Sequence, residues 1–203
     1  VISVGEVACV LLAAGASRRL GFPKQLLLLD GETLLHRTAR LALLVGLKPV
    51  YVMLGSRADE LRNELSGLPA VEVVINADWE TGMASSLRAG IERFRSGGEH
   101  PDRILVLVCD QTGLTEEHLR RLMAESAAHP DRIVASGYGE KVGVPAIFPA
   151  TYLDELSRIE GDHGARELLG RHANEVLRVS FPEGAVDIDT VQDAIKAGLR
   201  ICP

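Results

Sequence analysis

At 203 residues, with 46% hydrophobic and 25% charged, the chain has the composition of a globular protein and the length for one well-buried domain, residues 1–203. A formal net charge of -6 excludes a general nucleic-acid binder, which needs a basic face. Three cysteines without short spacing, Cys9, Cys109 and Cys202, exclude a C-x-x-C metal site and a disulfide framework, and fit a reducing compartment.

The first apolar run, Val7 to Leu12, fits a buried parallel strand. Continued to Ala16 it is too short to span a bilayer, and its cations follow rather than precede it, the reverse of a signal peptide. A cytoplasmic protein with no membrane partner is therefore expected. Small residues come next, Ala13, Ala14, Gly15, Ala16 and Ser17, then Arg18, Arg19 and Lys24. Bare backbone lets N–H groups approach an anion closely, so a strand, such a loop and three cations make a sensible triphosphate site. The same residues also suit a plain strand-to-helix turn with a solvated basic edge. The spacing is neither G-x-G-x-x-G nor G-x-x-x-x-G-K-[ST].

A helix is predicted over 32–45 with Gly46 as its cap, then a strand at 49–54, a short polar helix at 57–65 and a strand at 71–75. Another helix is predicted at 81–94. Residues 103–109 form the plainest apolar run and end at Asp110. Thr115 caps a helix with Glu116 and Glu117 in its first turn. Strands at 132–135 and 144–148, helices at 151–159 and 165–170, strands at 175–180 and 185–188, and a last helix capped by Thr190 and ending near Gly198 complete the chain. Strands alternate with helices for the first two thirds, which predicts a three-layer α/β/α Rossmann-like fold with a mostly parallel sheet. Ligands bind such sheets beyond the carboxyl ends of the strands, where the loop 13–24 and Asp110 would meet.

Asp110, at the mouth of an apolar strand, must be hydrated, paired or metal-bound; beside a polyphosphate, Mg²⁺ suits it, and capping the next turn is the plain alternative. If 185–188 is a strand, Asp187 and Asp189 share a face and one could reach the same cation, although Asp-x-Asp-Thr also starts helices. Ser85 and Ser86 open a helix where hydroxyls could meet a base or sugar, or simply cap it. His163 and Arg166, within Gly161-Asp-His-Gly-Ala-Arg166, could hold an anionic acceptor. The other histidines show no zinc-binding spacing.

Six segments occur in an order that resembles the molybdenum cofactor cytidylyltransferases: L-A-A-G-A-S-R-R-L-G-F-P-K (12–24), N-A-D-W-E-T-G-M-A-S-S-L (76–87), C-D-Q (109–111), G-V-P-A-I-F (143–148), G-D-H-G-A-R (161–166) and D-I-D-T (187–190). The resemblance runs through nearly the whole chain and extends to the related guanylyltransferases. It implies transfer of CMP from CTP to the terminal phosphate of molybdopterin, with release of pyrophosphate and Mg²⁺ as cofactor. It further implies that Leu12, Ala13, Ala14 and Gly15 line the nucleotide, with Gly55, Asn76 and Ser86 on its base or ribose side. Arg18 and Lys24 would hold the triphosphate, Asp110 and Asp189 the metal, and His163 and Arg166 the acceptor. Residues 1–112 would bind mainly the nucleotide, and 113–203 the acceptor and the second metal ligand. Three positions depart from the pattern: Thr112 and Val191 where proline is common, and Val144 where many members have histidine. The last weakens the assignment of the acceptor more than that of the nucleotide.

The expected chemistry is in-line attack of an acceptor phosphate on the α-phosphorus, driven by positioning and charge stabilisation. Alternatives are the same chemistry with GTP or a sugar phosphate, and a non-catalytic carrier or chaperone that delivers cofactor to a molybdoenzyme client. A nicotinamide-binding oxidoreductase is disfavoured by the spacing of the first glycine loop.

Overall fold

The computed structural model describes residues 6–162, 164–186 and 188–201; His163, Asp187 and Cys202 lie outside the described residues. In chain order the first half comprises β1 (Val7–Leu12), β2 (Leu27–Leu29), β3 (Glu32–Thr33), α1 (Leu34–Leu44), β4 (Val50–Leu54), α2 (Ala58–Asn63), β5 (Val71–Ile75), α3 (Met83–Ser96) and β6 (Arg103–Val108). The second half comprises α4 (Glu116–Ala128), β7 (Ile133–Tyr138), β8 (Lys141–Pro149), α5 (Leu153–Leu156), α6 (Ala165–Arg171), β9 (Val176–Ser180), α7 (Val191–Lys196) and β10 (Arg200–Ile201).

Seven strands form the central sheet in the order β5-β4-β1-β6-β8-β7-β9. Only β8 runs against the others, pairing antiparallel with both β6 and β7, so the sheet is mostly parallel as expected. Its inner strands β1, β4 and β6 are buried on both faces, which is why they read as continuous apolar runs, while the edge strands β5 and β9 are only partly buried. From β1, Cys9 and Leu11 point to one side, where Leu35 and Ala39 of α1, Leu61 of α2 and Leu119 of α4 pack. Ala8, Val10 and Leu12 point to the other, against Leu87, Ile91 and Phe94 of α3 and Leu168 of α6. Helical spacing of these side chains turns each helix's apolar stripe onto the sheet, giving three layers. Among the described residues no helix is long and apolar enough to cross a membrane.

Thr115 and Thr190 cap their helices as predicted, accepting from the backbone N–H of His118 and of Asp193; each such cap contributes about 1 kcal/mol. Three expectations are corrected. The segment 185–188 is not a strand: Pro182–Ala185 is a 3₁₀ turn, and neither Val186 nor Ile188 belongs to a strand, so the shared-face argument for Asp187 and Asp189 has no strand to rest on. Residues 151–159 are not one helix but a 3₁₀ turn, Ala150–Tyr152, running into the one-turn α5. Between the first loop and α1 lie β2 and β3, which join β10 in a small antiparallel sheet. Leu27 of that sheet, Leu34, Ile188, Ala194 and Leu199 form a satellite core, so the chain's last elements pack beside the first loop.

The topology sets the site. β1 and β6 are neighbours with Leu12 opposite Val108, so the loop after β1 and Asp110 after β6 leave the sheet side by side. β4 and β5 are likewise in register, Leu54 opposite Ile75, and bring Gly55 and Asn76 to the same rim.

Candidate active site

The loop after β1 is held almost entirely through its carbonyl oxygens. Gln25 is 1% exposed, and its Nε2 donates to Ala13 O and Gly15 O, both at 2.8 Å. Ser56 N–H donates to Ala14 O at 3.0 Å, and Ser17 O accepts from Leu20 and Gly21. Ser17, in left-handed backbone at φ 51°, takes the Lys24 N–H on its hydroxyl at 3.1 Å. From Ala14 to Arg19, by contrast, no backbone N–H has a hydrogen-bond partner among the described residues. Consecutive unengaged amides on a bare loop are an anion receptor.

The side chain of Lys24 reaches across 86 positions of sequence to pair with Asp110, both side chains being largely buried. Burial alone would lower the Lys24 pKa; the adjoining Asp110 charge and hydrogen bond outweigh it, Asp189 adds to them more weakly, and the net shift is upward. The ammonium therefore stays charged in the cleft. Cys109, next in sequence, has its thiol pushed up to about 12 by burial and by Asp110, and is no nucleophile at neutral pH.

One cleft runs over this rim in two chambers. The smaller, about 360 Å³, is lined by Leu12 to Ala16 of the loop, with Arg18, Lys24, Gln25, Trp79 and Ser86. The larger, about 660 Å³, is lined by Gln111, Tyr138, the β8 residues Lys141 to Val144, and Arg166. Leu12, Met83, Val108, Asp110 and Asp162 belong to both. The carboxylate paired with Lys24 thus stands where the chambers meet.

Of the residues singled out from the sequence, Leu12, Ala13, Ala14, Gly15, Arg18, Lys24, Ser86 and Asp110 come together in the smaller chamber. Arg18 reaches Glu80 across its rim at 3.1 Å, with both side chains mostly exposed. Arg166 lines the larger chamber. Two placements are corrected, those of Gly55 and Asn76. Gly55 lies behind Trp79, not on the cleft: a Cβ there would fall 2.5 Å from the Trp79 side chain, so glycine is required by that contact. Asn76 is 5% exposed and spends its amide on Ser85 Oγ (2.7 Å) and Ser86 Oγ (3.0 Å), supporting the start of α3 from behind. Asp189 lines neither chamber and pairs with Arg19 at 3.0 Å. The sequence reading missed Gln25, Asp162 and Trp79. Gln25 had a signal, a polar residue entering the apolar run Leu26 to Leu29.

A second network builds the wall of the larger chamber. Gln111 Nε2 donates to Val144 O at 2.8 Å and to the Tyr138 hydroxyl at 3.1 Å. Ser136 donates to Pro145 O at 2.7 Å, so the proton in its 2.8 Å contact with His118 must sit on His118 Nε2. That leaves His118 Nδ1 unprotonated and, among the described residues, buried without a partner, while the ring stacks on Phe181 at 4.1 Å.

A model of the MobA-like NTP transferase domain matches residues 9–176. Nicotine blue oxidoreductase of Paenarthrobacter nicotinovorans is 32% identical, covering 92% of this chain and 93% of that protein. Purine catabolism protein PucB of Bacillus subtilis is 30% identical, covering 91% and 92%. Among solved structures, Rv0371c of Mycobacterium tuberculosis superposes with a TM-score of 0.78 at 31% identity, over 95% of this chain and 97% of that one. A second structure of Rv0371c, 28% identical at a TM-score of 0.74 over 95% and 97%, is a complex with manganese.

Proposed function

The chain belongs to the MobA-like NTP transferase family, and from that premise we propose that it transfers CMP from CTP to the terminal phosphate of molybdopterin, releasing pyrophosphate. The observation that carries the reading is the run of unengaged amides from Ala14 to Arg19, of which Ala14, Gly15, Ala16 and Arg18 line a chamber that meets a second, larger one at Asp110, the partner of Lys24. The smaller chamber takes the nucleotide. The loop amides and Lys24 hold the triphosphate, Arg18 turns from Glu80 to the departing pyrophosphate, and Ser86 faces the base or ribose. The larger chamber takes the acceptor, with Arg166 against its phosphate. Lys24 neutralises charge where bonds form and break, which lowers the barrier more than it strengthens binding. The acceptor phosphate is anionic at neutral pH and needs no general base.

Asp110 offers hard carboxylate oxygens beside the phosphate path, a donor set that suits Mg²⁺ or Mn²⁺, and the manganese complex of Rv0371c supports a divalent cation in this family. Asp110 would hold it, with Asp189 released from Arg19 as second carboxylate. The cation would supply charge neutralisation on the phosphate oxygens.

Incubating the protein with molybdopterin, Mg²⁺ and each NTP in turn, and assaying pyrophosphate, tests the proposal. Release greatest with CTP is expected; none with any NTP would overturn it. The full-length likeness to an oxidoreductase favours a second reading, redox chemistry in the same cleft. Oxidation of NADH or NADPH with nicotine blue as acceptor, followed by nicotinamide absorbance and dependent on this protein, would establish it; no such oxidation would overturn it.

A further inference from the structure

We infer that Gln25 is a positioning residue that turns the first loop into a phosphate receptor; the inference rests on the nucleotidyl-transfer reading above. A buried carboxamide must satisfy its polar atoms, and Gln25 does so on the loop itself. Both Nε2 hydrogens are committed, one to Ala13 O and one to Gly15 O, each at 2.8 Å. Its Oε1 faces the Ser17 hydroxyl, which in turn holds the Lys24 N–H. The residue therefore closes the loop onto the turn that carries Lys24.

The consequence is electrostatic. A peptide loop presents either carbonyl oxygens or amide hydrogens to its neighbour, and an anion tolerates only the hydrogens. Here Ala13 O, Ala14 O and Gly15 O are all drawn to protein donors, the first and third by Gln25 and the second by Ser56. The amides of Ala14 to Arg19 remain for a ligand. Without Gln25 two carbonyl oxygens lose their donors and are free to turn toward the bound phosphates.

Two substitutions and two probes test this by calorimetry. Inorganic tripolyphosphate reports on the phosphate part of the chamber, and cytidine on the base part. In Gln25→Leu the affinity for tripolyphosphate should fall about tenfold, the scale of one or two net hydrogen bonds, while that for cytidine stays within about twofold. Gln25→Glu sets a carboxylate against two carbonyl oxygens at neutral pH. Once protonated it donates one hydrogen bond, so its tripolyphosphate affinity relative to the unmodified protein should recover on acidification. On the unmodified protein, tripolyphosphate should shift the ¹⁵N–H resonances of Ala14 to Arg19, a measurement that stands if a variant fails to fold.

Unchanged tripolyphosphate affinity in Gln25→Leu, equal loss of both probes, a pH-independent ratio in Gln25→Glu, or amide shifts confined elsewhere would each overturn the inference. An unmodified protein that binds neither probe would remove the nucleotide reading itself. Binding of both by protein and variant alike removes only the role of Gln25.

Discussion

The two chambers of the cleft differ in how their charged side chains are held. In the smaller one the polar groups are engaged with each other: Gln25 with two loop carbonyls, Ser17 with Lys24, Lys24 with Asp110, Arg18 with Glu80. In the larger one Gln111 is bonded to Tyr138 and Val144 in the wall, but Glu140, Lys141 and Arg166 line the space without a side-chain hydrogen bond or ion pair among the described residues. Held side chains narrow what a chamber accepts, whereas unengaged side chains can fit more than one ligand.

The heaviest blow to that contrast falls where the chambers meet. Asp110→Asn should lower turnover about a thousandfold, some 4 kcal/mol of transition-state stabilisation, with the circular dichroism spectrum unchanged. Normal turnover in a folded variant would remove Asp110 from the chemistry. Lys24→Ala should lower kcat about a hundredfold. If only the KM for CTP rises, Lys24 serves binding alone. On the acceptor side, Arg166→Ala should raise the KM for acceptor about tenfold and leave that for CTP in place. Equal rises in both would mean that the chambers do not divide the substrates. The smallest effect belongs to Ala14, 6% exposed on the nucleotide side. Ala14→Gly widens the wall by one methyl group and should shift the CTP-to-GTP affinity ratio toward GTP by up to about tenfold. Competition binding that shows no shift would place base selection elsewhere.

The architecture was legible because a parallel strand covered on both faces writes itself as an apolar run, and β1, β4 and β6 fall where such runs stand. The small sheet was not, since strands of two or three residues leave no period; Leu27–Leu29 looks like part of any apolar run. Residues 185–188 misled in the other direction, reading as a short strand where a 3₁₀ turn ends at Ala185 and neither Val186 nor Ile188 belongs to a strand. At the site, loop composition announced the bare amides. What sequence could not show was pairing at long range: Lys24 with Asp110, Arg19 with Asp189, and Asn76 behind the serines rather than beside a ligand.

The His118 ring has a consequence in the stability of the molecule. Burial lowers its pKa from an ordinary 6.5 to about 4, so the native protein keeps it neutral where an unfolded chain would charge it. In that window the unfolded state binds more protons, and stability must fall as pH falls. The loss begins as pH drops below about 6.5, is complete near pH 4, and amounts to about 3 kcal/mol. Denaturant midpoints measured from neutral to acid pH should slope less steeply in His118→Gln than in the unmodified protein; parallel slopes would show that the proton goes elsewhere. The wall of the larger chamber would then carry an acid limit of its own, independent of any substrate.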